Sequence, residues 1–205
     1  MKYCYLFLLV ILMSSSIFKT DALKPGDLAR SFELKNVDNK LVALKDFKSA
    51  KGFIVIFSCN HCPYVKAYES RMEALNKLYA TKGYPVIAIN SNDVSRYPED
   101  SFENMQRNAK QKGFTFPYLF DESQEIARSY GALKTPHVYV LEKRGDDLVV
   151  KYVGAIDDNT QDAEKVEKRY VEDAVNALLA GKTVKVQETK AIGCGIKWKE
   201  SADKK

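Results

Sequence analysis

The sequence predicts an α/β fold: a central mixed β-sheet flanked by helices and preceded by an N-terminal β-hairpin. Three observations predict it. Short runs rich in β-branched and aromatic residues, Phe53–Phe57, Pro85–Ile89 and His137–Leu141, read as buried strands. Other stretches carry apolar residues every three or four positions, the period of an amphipathic helix. The strands alternate with these helices, which is how a sheet comes to be covered on both faces.

Composition narrows the function classes. A length of 205 residues fits one domain, and 45% hydrophobic residues excludes wholesale disorder. Lys and Arg number 32 against 27 acids, but the signs are interspersed and no long basic run occurs, so nucleic-acid binding has no support. Two histidines exclude a His-rich metal site, and four cysteines are too few for a disulfide-stapled miniprotein.

The elements follow in chain order. Tyr3 to Met13 is almost wholly apolar after Lys2 and leads into Ser14, Ser15 and Ser16, the shape of a secretory signal. Residues 1–22 are read as that signal, cut after Ala22. The alternative is a retained membrane anchor. The apolar stretch ends by Phe18, about 24 Å of helix, short of a ~30 Å hydrocarbon core. Cleavage removes Cys4 and leaves an odd number of cysteines in an exported protein, periplasmic or secreted, where disulfides persist. Contact with a membrane is expected only through the signal or the anchor.

Residues 23–185 form the predicted domain. Ser31–Lys35 and Lys40–Leu44 alternate around Val37-Asp38-Asn39, a hairpin. After Phe53–Phe57 come Cys59 and Cys62, then a helix marked by Val65, Tyr68, Met72, Leu75 and Tyr79 and closed by Gly83. Glu99–Lys112 reads as a second helix, Phe116–Phe120 as a strand, and Asp121 as the cap of a helix holding Ile126 and Tyr130. A turn at Lys143–Asp147 joins His137–Leu141 to Leu148–Val153. Asp162–Ala180 is the last helix, with Val166, Val171, Val175, Leu178 and Leu179 on its apolar face. Residues 186–205 form a Lys-rich tail; Trp198 within it points to docking rather than disorder.

The chemistry lies at Ser58-Cys59-Asn60-His61-Cys62-Pro63, a Cys-x-x-Cys at a strand-to-helix junction. Free N–H groups and the positive dipole end of a helix favour a thiolate there, and a protonated His61 would favour it further. Cys62, deeper in the helix and more buried, would resolve the mixed disulfide formed by Cys59. An inert disulfide, or half a zinc site completed by Cys194 and His137, are the competing readings. His137 itself reads as a packed or surface residue. Cys194 is either a third exchange-competent thiol or a packing residue that pins the tail beside Ile196 and Trp198.

These residues, with Thr135-Pro136 ahead of a strand, resemble the thioredoxin-like superfamily. The blocks at residues 59–66 (CNHCPYVK), 88–93 (AINSND), 118–122 (YLFDE), 154–159 (GAIDDN) and 193–198 (GCGIKW) are similar to its AhpC/TSA-type, peroxiredoxin-like redoxin branch over nearly all of the chain from Pro25 to Lys199. The resemblance implies a cis-proline at Pro136 and a substrate groove at Thr135 and Pro136, where an extended substrate strand pairs with the backbone. It also implies that Asn60 and His61 tune the redox pair, His61 matching the histidine of strongly oxidising Cys-Pro-His-Cys enzymes. Three departures stand out. Ile56 and Gly52 occupy the positions of a peroxiredoxin's hydroxyl residue and proline. Phe53 replaces thioredoxin's buried Asp, leaving Glu69, a residue expected on a solvated helix face, as a weak candidate base. Ser58 replaces its Trp.

The expected function is a thiol–disulfide oxidoreductase working through Cys59 and Cys62 on a protein disulfide or small thiol. A separate thiol reductase or oxidase resets it, and neither cofactor nor metal is needed. A thiol peroxidase with Cys59 as the peroxide-reacting cysteine is the first alternative, and a non-enzymatic copper- or zinc-binding protein the second.

Overall fold

A computed structural model describes residues 22–200; the predicted signal lies outside them except for Ala22. The N-terminal hairpin is β1 (Glu33–Asn36) and β2 (Leu41–Ala43), with Asn39 left-handed in the turn. Then come β3 (Gly52–Ser58), α1 (Pro63–Tyr79), β4 (Val86–Asn90), α2 (Phe102–Lys112), β5 (Tyr118–Phe120) and α3 (Glu125–Tyr130). The chain closes with β6 (Lys134–Thr135), β7 (His137–Arg144), β8 (Asp147–Gly154), α4 (Tyr170–Leu179) and β9 (Cys194–Gly195).

Seven strands form one sheet in the order β2-β1-β5-β4-β3-β7-β8, while β6 and β9 pair separately. The β3–β4 and β4–β5 pairs are parallel and the rest antiparallel, so the sheet is mixed, as predicted. Every residue of β3 is buried, as its unbroken apolar run requires. Ile54 and Ile56 face a layer built from α1 (Tyr68, Met72, Leu75), α2 (Met105) and α4 (Val171, Val175). Phe53, Val55 and Phe57 face the opposite layer with Ile126, Ala127 and Tyr130 of α3. This two-sided burial fixes the end of β3, and with it the cysteines.

Two helices are shorter than predicted. The hydroxyl of Ser101 accepts the Asn104 N–H, so α2 starts at Phe102, and Pro98–Asp100 make a separate 3-10 turn. The last helix starts only at Tyr170. The Asp158 carboxylate accepts the N–H groups of Glu167 and Lys168, both at 3.0 Å, and holds that stretch out of the helix. Asp121 does cap α3, but from four residues upstream of its start, accepting the Ala127 N–H at 2.9 Å.

Candidate active site

The corner between β3 and α1 presents Cys59 through Cys62. Cys62 is the N-cap residue of α1, in extended conformation, and Pro63 fills the first helical position, where its missing N–H is no loss. The expectation that Cys62 lies further inside the helix is not met, since it is the N-cap; both cysteines are buried, Cys59 1% exposed and Cys62 0%. The register of β3 with β7 sets Phe57 opposite His137, and this brings the Thr135–Pro136 peptide to the cysteines. That peptide is cis, as expected. Thr135 meets both sulfurs: its Oγ1 lies 3.3 Å from Cys59 Sγ and its carbonyl oxygen 3.3 Å from Cys62 Sγ.

The disulfide in the structure joins Cys62 to Cys194, 132 positions apart with Cα atoms 6.1 Å from each other, and among the described residues Cys59 is the free thiol. The sequence pairs Cys62 with Cys59 instead and leaves Cys194 as either a third thiol or a packing residue. Spacing within a local motif cannot reveal this bond, because it depends on the tail folding back across the sheet.

Sequence reasoning also missed Asp100. Its carboxylate is fully buried and accepts from the Asn60 N–H at 2.7 Å, the His61 N–H at 3.3 Å and the Asn92 side-chain amide at 2.6 Å. His61 Nδ1 lies 2.6 Å from its second oxygen, and the His61 ring stacks on Tyr97. In the sequence Asp100 looked like an ordinary acid in the first turn of a helix. Asn60 braces the same loop, donating to the Glu99 carbonyl at 3.0 Å and accepting from the buried Tyr118 hydroxyl at 2.9 Å.

This packing reverses one expectation. The Cys59 thiol is pushed up to about 11, first by burial and then by the Asp100 charge, while the Thr135 hydroxyl and the N–H groups of Cys62 and His61 pull the other way. The helix end does supply its donors, but desolvation outweighs them.

The remaining singular residues are settled by contacts. Glu69 is buried rather than solvated, paired with Lys112 at 2.8 Å and with Asn108 at 3.2 Å. His137 is buried against Tyr139 and accepts the Leu133 N–H at 3.4 Å, which makes it a packed residue and not a partner of the cysteines. Gly52 has no room for a side chain: a Cβ there would strike the Leu141 carbonyl and the Tyr84 ring. Among the described residues one trio, Cys59, His61 and Asp100, holds S, N and O donors within 4.8 Å of one another. A cation there would have to displace the His61–Asp100 hydrogen bond.

A thioredoxin-like sheet with a buried cysteine beside a cis-proline defines the class as a redox protein of the thiol–disulfide kind. The chain belongs to the AhpC/TSA family, whose pattern matches residues 25–153. It is 28% identical over 130 residues to the thiol-disulfide oxidoreductase ResA of Bacillus thuringiensis subsp. konkukian, covering 62% of this chain and 69% of that one. A crystal structure of an uncharacterized conserved protein from Geobacillus kaustophilus matches with a TM-score of 0.80 and 42% identity, over 87% of this chain and 94% of that one. The thioredoxin domain of a thiol-disulfide oxidoreductase from Bacteroides vulgatus shares the fold, with a TM-score of 0.52 and 15% identity over 65% of this chain and 91% of that one.

Proposed function

We propose that this protein is an exported thiol–disulfide oxidoreductase that exchanges disulfides through Cys59 and Cys62 with a protein disulfide or a small thiol. The observation that carries the reading is the shared contact of both sulfurs with Thr135, each at 3.3 Å, beside cis Pro136. In the cycle Cys59 loses its proton and attacks a substrate disulfide. One substrate sulfur leaves as a thiol, and the other stays bonded to Cys59. Cys62 then attacks Cys59 Sγ, releases the second thiol and leaves a Cys59–Cys62 bond. This needs Cys62 free, so the cycle starts from a form in which Cys62–Cys194 has opened. A separate reductase or oxidase resets the pair. Asn60 and His61 act through the loop they and Asp100 hold in place, and the apolar N-terminal segment supports export.

The peroxidase reading is less well supported. Ile56 and Gly52 stand where a peroxiredoxin carries its hydroxyl residue and its proline, so the hydroxyl that would help hold peroxide is missing. The test is turnover of glutathione disulfide and of a protein disulfide by the reduced protein and by Cys59→Ser. A loss of about 100-fold or more is expected for the variant. Retained turnover in Cys59→Ser would refute the reading. Rapid, Cys59-dependent thiol loss to stoichiometric hydrogen peroxide would replace it with a peroxidase.

A further inference from the structure

The tail is docked from Gln187 to Lys199. Gln187 and Thr189 bond the backbone of Val153 at 3.0 Å each, and the Thr189 hydroxyl meets the Tyr152 hydroxyl at 2.6 Å. The chain then crosses to the cysteines. Cys194 pairs with Thr135 and Gly195 with Lys134, antiparallel, and the Ile196 N–H bonds the Leu133 carbonyl at 3.1 Å. Gly193 lies flush on the Thr135–Pro136 peptide; a Cβ there would collide with the Thr135 carbonyl and approach the Pro136 nitrogen. Further on, the Lys197 N–H bonds Asn92 at 2.8 Å, and Trp198 packs against Arg128.

Residues 193–195 therefore fill the strand position beside Thr135 that an extended substrate would need. We propose that this segment is a displaceable strap in the substrate groove and that Cys194 is a third exchange cysteine. The inference rests on the reading of Cys59 and Cys62 given above. Cys59 Sγ attacks Cys62 Sγ. The Cys59–Cys62 bond forms, the Cys62–Cys194 bond breaks, and the electron pair goes to Cys194. Cys194 takes up a proton as Cys59 gives one up. One disulfide and one thiol stand on each side, so no outside oxidant or reductant takes part. The strap is then held by non-covalent contacts alone. An extended, cysteine-bearing polypeptide that pairs with β6 can take its place. The strap is the template for that partner: a cysteine with glycine on both sides, where bulk would meet the cis-proline.

Disulfide mapping tests this. Cys59 and Cys62 fall between Lys51 and Lys66, and Cys194 between Lys190 and Lys197, so tryptic peptides separate the two linkages by mass. The oxidised protein, freed of added oxidant, is held at mildly alkaline pH, quenched in acid at intervals and capped. Both linkages are expected in the wild type, converging on a constant ratio. Cys59→Ser should hold Cys62–Cys194 alone. Gly193→Ala, which keeps every thiol, should lower the Cys62–Cys194 share severalfold. Cys194 capped in every oxidised sample, or no Cys59–Cys62 linkage arising from the Cys62–Cys194 form, would overturn the strap. Either result leaves the exchange reading intact if Cys59→Ser still loses disulfide turnover; if that variant keeps turnover, the exchange reading itself fails.

Discussion

The carboxylate of Asp100 and the thiol of Cys59 are acids sharing one dry corner, and burial favours a single charge there. The Asp100 carboxylate accepts from the N–H groups of Asn60 and His61 and from the Asn92 amide and meets His61 Nδ1, while Cys59 keeps its proton. Folding therefore raises the thiol from 9.0 to about 11, and the associated stability is whole below pH 9 and is lost as pH climbs through 11. The difference is about 2–3 kcal/mol. Urea denaturation of the reduced protein at pH 8 to ~11 should show the wild type losing more stability than Cys59→Ser; parallel curves would refute the assignment. His137 works in the other direction. Burial lowers it from 6.5 to about 4, and its ring nitrogen accepts the Leu133 N–H, so the neutral form is the folded one. Its contribution is present above pH 6.5 and fades as pH falls toward 4. His137→Gln should flatten that acid limb of the stability curve, and an unchanged limb would show that other groups carry it.

At the scale of elements, α1 is held at its middle as well as its start. The Tyr68 hydroxyl donates to Asp157 at 2.8 Å, and Arg71 Nη1 reaches both Asp157 oxygens, at 3.0 and 2.8 Å, and the Asn159 carbonyl at 2.6 Å. Asp157→Ala would leave the Arg71 charge and the Tyr68 hydroxyl without their buried partner, at a cost of about 3 kcal/mol. The check is chemical denaturation; a loss below about 1 kcal/mol would mean the pair is solvated in practice. These elements differed in how far the sequence revealed them. The strands β3, β4 and β7 and the helix α1 were legible because burial forces unbroken apolar runs and a period of three and four. The starts of α2 and α4 were not, because they are set by Ser101 and Asp158 side chains that outcompete local propensity.

At the scale of the whole molecule, four of the five blocks that carried the family resemblance turn out to be neighbours. Asn92, from the block at 88–93, holds both Asp100 and Lys197; Tyr118 holds Asn60; Cys194 holds Cys62. The first wall of the site, Cys59 to Pro63 with Thr135 and Pro136, was readable because each motif is local. The second wall was not, since Asp100 and the tail reach it only through strand register and a long return of the chain. The tail's docking was legible from Trp198, but not its target.

The same return has a consequence at the sheet's margin. β2, at one end, is three residues long, whereas β8, at the other, has eight. A long open margin offers unpaired N–H and C=O groups to any passing chain. Here a segment ahead of the N-terminal hairpin and a segment of the tail share that margin. Gly26 and Ala29 bond Val150 and Leu148 on its first half, and Gln187 and Thr189 bond Val153 on its second. An incoming strand meets those backbone groups already bonded.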